Sequence, residues 1–194
     1  MADAEKTLLD LKEKLDEVGL PFFLIASTLL GIYRDGEPLG LLEVGFLDKD
    51  YTEEVEEKLK KRIKISDPGG DRKDRAEKHC QLYLDGLGDR IEGHPVYFLG
   101  KYGYFNITEF QVLVWPRYMY EKLKKIKYAG EWWKMPSDTG KYLELFYGED
   151  WRTPRGWAWG EAPNLGKIEA SGGKKKIIIS DDYKRIIRIP KKRR

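Results

Sequence analysis

The chain has 194 residues, with 36 Lys and Arg against 33 Asp and Glu and a formal net charge of +3. That length suits one domain with an appendage, whose core needs no disulfide or metal staple. A single cysteine, Cys80, excludes an intrachain disulfide, residues 1–18 are too charged for a secretory leader, and no apolar run nears the roughly 20 residues that span a bilayer, so a cytoplasmic chain without a transmembrane segment is expected.

Residues 4–18 place Leu8, Leu9, Leu11, Leu15 and Val18 largely along one side at helical spacing, which predicts an amphipathic first helix ended by Gly19. The apolar run 21–26 reads as a buried strand. Ser27 or Thr28 can then cap a short helix through Arg34, with Asp35-Gly36 as the following turn. A second strand over 41–47 precedes a helix capped by Asp50 or Thr52 and running to about residue 62. Asp67-Pro68-Gly69-Gly70 is a loop, without the spacing of a phosphate-binding loop. Short glycine-punctuated strands are expected at 79–84, 96–99 and 108–115. Ser137-Asp138 opens a helix through Phe146 that stops at Gly148, residues 151–165 form an aromatic closing segment, and residues 174–189 supply two short strands. The whole reads as an α/β (α+β) domain at 1–166, a small mixed sheet flanked by helices, with a basic β-rich extension at 167–194.

Charge is unevenly placed. Residues 167–194 carry eleven Lys and Arg against three acids, a net of +8, and the first 166 residues carry a net of −5. Such a tail can hold nucleic acid, an anionic membrane surface or an acidic partner in a salt-dependent way, and it can equally serve as a solvated end.

The junction of the first strand and second helix carries the most chemistry. Free N–H groups and the helix dipole favour an anion there, Ser27 and Thr28 add hydroxyls, and Arg34 lies about two turns on. The plain alternative is a capped helix with a surface arginine. His79, Cys80 and His94 are too few and too far apart for a zinc signature and read as structural, and a Cys80–His94 nucleophilic pair needs a spatial meeting that spacing does not supply. Trp132, Trp133, Trp151, Trp157 and Trp159 can pack in the core or stack on sugars or bases.

The run Ser27-Thr28-Leu29-Leu30-Gly31-Ile32-Tyr33-Arg34-Asp35-Gly36 resembles the signature in which LicD and fukutin-type phosphotransferases place their phosphate-handling turn and arginine. Trp132-Trp133-Lys134-Met135-Pro136, followed by Lys141-Tyr142-Leu143-Glu144-Leu145-Phe146-Tyr147-Gly148-Glu149-Asp150-Trp151-Arg152-Thr153-Pro154, is similar to the C-terminal signature of the same family. Together they cover residues 21–165 in outline. The resemblance implies a nucleotidyltransferase-like core that transfers phosphocholine, ribitol phosphate or a related group from a nucleotide-linked donor to a glycan. Mg²⁺ or Mn²⁺ would be held by an Asp-x-Asp on the second strand and by an acid on a later one.

Here the second strand reads Leu41-Leu42-Glu43, and the run 111–116 puts Leu113 where the later acid is expected. Glu43 is then the one expected metal ligand and catalytic carboxylate, because Glu109 would lie about 13 Å away along the strand. A lone Glu is not a two-metal site. Loss of the acids implies impaired or lost transfer, as in a drifted pseudoenzyme or a redesigned sequence. The alternative is a non-catalytic module that binds nucleotide or glycan in the cleft, or polyanions through the tail.

Overall fold

A computed structural model describes residues 2–66, 82–87, 89–108, 111–171 and 174–186. The expected loop at 67–70, together with His79, Cys80, Glu109 and tail residues 187–194, lies outside the described residues.

Helix α1 (Ala2–Val18) buries Leu8, Leu11 and Leu15 completely and ends at Gly19, whose φ of +75° suits a residue without Cβ. Strand β1 (Phe22–Leu24) leads into α2 (Ala26–Arg34). The N-cap of α2 is Ile25, with no side-chain cap, so Ser27 and Thr28 sit inside the first turn rather than at the cap. Strand β2 (Leu42–Leu47) is followed by a 3-10 turn (Asp48–Asp50) and α3 (Glu53–Lys60), capped by Thr52, whose hydroxyl accepts from the Val55 N–H at 3.3 Å.

Next come β3 (Lys64–Ser66), β4 (Leu82–Leu87), β5 (Asp89–Leu99), β6 (Tyr102–Asn106), β7 (Gln111–Pro116) and the short α4 (Tyr118–Glu121). A separate hairpin, β8 (Lys124–Tyr128) with β9 (Glu131–Met135), turns at Ala129 and Gly130. Both turn residues have positive φ, as the tightest hairpin turn requires. Helix α5 (Thr139–Tyr147) stops at Gly148. A 3-10 turn (Trp159–Glu161), β10 (Leu165–Ser171), β11 (Lys174–Ile179) and α6 (Asp181–Ile186) complete the described chain.

The fold is α+β, built on a mixed sheet of nine strands in the order β1-β2-β5-β6-β7-β10-β11, with β4 also pairing with β5 and β3 with β4. This is larger than the small sheet expected, for two reasons. Strand β5 runs 11 residues, pairing with β2 and β4 through its first part and with β6 through its end. The basic extension also joins the sheet: Leu165, Gly166 and Lys167 pair with Leu113, Val112 and Gln111, so β10 runs straight across the expected boundary at 166. Tyr183 of α6, where a strand was expected, is buried and meets Tyr102 edge-on at 6.1 Å.

Among the described pairings only β2 with β5 is parallel, which needs the long crossover through α3. Helix α5 covers the sheet by stacking Tyr142 on Trp115 at 4.7 Å and 9°. Among the described residues, no helix is long and apolar enough to cross a membrane.

Candidate functional site

The parallel register sets Glu43 of β2 opposite Glu92 of β5. Side chains two apart on a strand share a face, so His94 joins Glu92 on the side that meets Glu43. The three are 4 %, 8 % and 3 % exposed, yet all line one cavity of about 490 Å³, a volume suited to a small ligand.

His94 Nε2 lies 3.6 Å from Glu43 Oε1 and 3.8 Å from Glu92 Oε2, and one ligand atom from each of the three falls within 4.8 Å of the others. Neither ring nitrogen of His94 has a hydrogen-bond partner among the described residues, nor does Glu43 Oε1. Buried groups of this kind are normally satisfied. Two carboxylates and an imidazole, with Glu43 Oε1 and both His94 nitrogens unpartnered among the described residues, fit a divalent cation.

The other oxygen of Glu43 is already held. Glu43 Oε2 accepts from the Ser27 N–H at 3.0 Å, and Ser27 Oγ lies 2.5 Å from both this oxygen and the Leu41 carbonyl. A carboxylate thus caps the N-terminus of α2 from a neighbouring strand. Ala26, at φ +46°, makes the turn that aims the Ser27 N–H; such a value is uncommon outside glycine and recurs where local geometry serves a site. Thr28 is fully buried and accepts from the Glu43 N–H at 2.6 Å, so it positions β2 and does not line the cavity.

Arg34 lines the cavity from the far end of α2, its guanidinium held by Asp35 and by the Trp151 carbonyl. The hydrogen bonds to Asp35 keep its pKa above the ordinary arginine value, so it is a permanent cation. Arg155 is a second cation on the wall, 3.3 Å from Asp150 and 3.2 Å from Glu161. Burial, and after it the charge of Glu43, pushes the Tyr147 phenol far above its usual range, leaving a protonated hydroxyl on the same wall.

The sequence-expected residues therefore divide. Ser27, Arg34 and Glu43 meet at the cavity and Thr28 stands behind it. Leu41 lies on the cavity wall. Leu113 is a correction: it is fully buried on β7, with β5 and β6 between it and β2, so a neighbour spacing near 4.8 Å puts it roughly 14 Å from β2. Glu43 is not a lone acid, because Glu92 and His94 complete the group. Glu92 escaped the sequence reading, and His94, read there as structural, is placed instead beside two carboxylates; the signal was the alternation Ile91-Glu92-Gly93-His94.

No protein-family model matches the chain, and no curated protein matches it.

Proposed function

We propose that the protein is a cation-dependent phosphotransferase of the nucleotidyltransferase type, similar to LicD proteins, acting on a nucleotide-linked donor and a glycan acceptor. One observation carries this reading: a buried Glu43-Glu92-His94 group and two arginines, Arg34 and Arg155, open into the same cavity. Phosphoryl transfer spreads negative charge over several oxygens, so a site that places cations around them supplies most of what the reaction needs.

Glu43, Glu92 and His94 would hold Mn²⁺ or Mg²⁺, and the chemistry supplied by the bound ion is neutralisation of phosphoryl charge. Arg34 and Arg155 bind the phosphates as fixed donors, and Arg34 keeps its place because Asp35 and Trp151 hold it. Tyr147 can donate a proton in a hydrogen bond to a phosphate or leaving-group oxygen. Trp157, half-buried in the wall, offers a ring face for a base or sugar. Leu41 removes one acid of the family pattern, and the group on β5 supports activity without it.

The test incubates the full chain with CDP-choline, Mn²⁺ and a mixed glycan acceptor, and follows release of CMP by phosphorus NMR. CMP release that falls at least about a hundredfold in Glu43→Gln and in Glu92→Gln is the expected result. Donor binding without any CMP release would replace this reading with a non-catalytic binding module.

A further inference from the structure

The donor set at the cavity floor is not one that Mg²⁺ favours. Mg²⁺ takes oxygen ligands in near-octahedral geometry at 2.0–2.1 Å, which places neighbouring ligand atoms about 2.9 Å apart. A first-row transition ion bound tetrahedrally at about 2.0–2.2 Å spaces its ligands roughly 3.3–3.6 Å apart. His94 Nε2 sits 3.6 Å from Glu43 Oε1 and 3.8 Å from Glu92 Oε2, nearer the second spacing than the first.

The imidazole points the same way, since nitrogen donors suit Zn²⁺, Fe²⁺ and their neighbours, whereas all-oxygen sites suit Mg²⁺ and Ca²⁺. Both ring nitrogens are buried and have no hydrogen-bond partner among the described residues, and Nε2 is the one that faces the two acids. Ser27 holds Glu43 Oε2 through its N–H and hydroxyl, which leaves Oε1 as the free oxygen and fixes the carboxylate's orientation. All three side chains line the cavity.

We propose that Glu43, Glu92 and His94 form a three-ligand site selective for a first-row transition dication over Mg²⁺, with His94 as a direct nitrogen ligand. It stands in for the carboxylate that Leu41 lacks, and the remaining position takes a phosphoryl oxygen. The role of that last ligand rests on the phosphotransferase reading; the identity of the ion does not.

The test uses the full chain after chelation. Co²⁺ is titrated in and followed by visible absorption, then challenged with Zn²⁺ and Mg²⁺. One Co²⁺ per chain is expected, with the bands of a four- or five-coordinate ion. It should be displaced by equimolar Zn²⁺ and retained in a roughly thousandfold excess of Mg²⁺.

Pulsed EPR of the Mn²⁺-loaded protein, which needs no variant, shows coupling to a ¹⁴N nucleus. His94→Asp, once circular dichroism confirms its fold, abolishes the coupling and narrows the Zn²⁺-over-Mg²⁺ preference by at least about tenfold. Failure to bind Co²⁺ stoichiometrically, or bound Mn²⁺ without nitrogen coupling, overturns the proposal. A nitrogen-ligated ion in a chain that ignores CDP-choline upholds it and defeats the phosphotransferase reading. An oxygen-only ion in a chain that releases CMP defeats this inference alone.

Discussion

Arg34 donates from Nη1 to the carbonyl oxygen of Trp151 at 3.1 Å, across 117 residues of sequence, while its Nε and Nη2 grip the two carboxylate oxygens of Asp35 at 2.9 and 2.8 Å. One planar side chain thus ties α2 to the turn after α5. A lysine keeps the charge but cannot make this fork. Arg34→Lys is therefore expected to lose about 1–3 kcal/mol of stability in urea unfolding, and Arg34→Ala to weaken CDP binding by a similar amount. Unchanged values in both variants would make the arginine a solvated surface group.

The same pair has a pH signature. The hydrogen bond from Arg34 holds the Asp35 carboxyl below the ordinary aspartate value. A carboxyl with a lowered folded-state pKa contributes stability that is complete above its unfolded value, near pH 4, and is lost as pH falls through the lower folded value. The melting temperature of the wild type should therefore fall more steeply between pH 5 and about pH 2 than that of Asp35→Asn. Parallel curves would show that the pair contributes nothing in solution.

Gly31 packs α2 against the returning chain. A Cβ there would meet the backbone of Glu37 and Leu39 as well as the Leu39 side chain, and backbone cannot step aside as a flexible side chain can. Gly31→Ala should cost about 1–3 kcal/mol despite alanine's better helix propensity, and should disturb the cavity wall through Leu39. Denaturant unfolding of the variant checks the sign; a stabilised protein would mean that the 37–39 segment moves freely.

What could be read from the sequence was mostly local. The first, third and fifth helices follow from apolar spacing, Thr52 and Gly148, and the strand-helix junction from its apolar run and hydroxyls. Ser27, Arg34 and Glu43 were legible because they lie within 17 residues of one another. Glu92 and His94 were not. Gly93 read as a turn between short strands, although the parallel ladder with β2 carries β5 straight through it. Nothing in the run 111–116 tells that β5 and β6 stand between it and β2, so Leu113 was expected beside Glu43, where the register puts Glu92. Long-range strand order is set by burial and register, which local pattern does not encode.

The tail separates into two parts with different expected effects. Residues 174–186 belong to the folded unit through β11 and the buried Tyr183, so removing them should unfold part of the sheet. Residues 187–194 add five Lys and Arg and no acid. Deleting only these eight should reduce the salt slope of DNA binding by up to about 4–5. An unaltered slope would place any polyanion contact on the body of the protein.

Calorimetric titration of CDP with and without Mn²⁺ asks whether one cavity takes a divalent cation and a phosphorylated ligand together. Mn²⁺ held by Glu43, Glu92 and His94 beside Arg34 should raise CDP affinity at least about tenfold, a coupling near 1.4 kcal/mol. The gain should vanish in Glu92→Gln. CDP affinity that is indifferent to Mn²⁺, or a gain that survives in Glu92→Gln, would contradict the account.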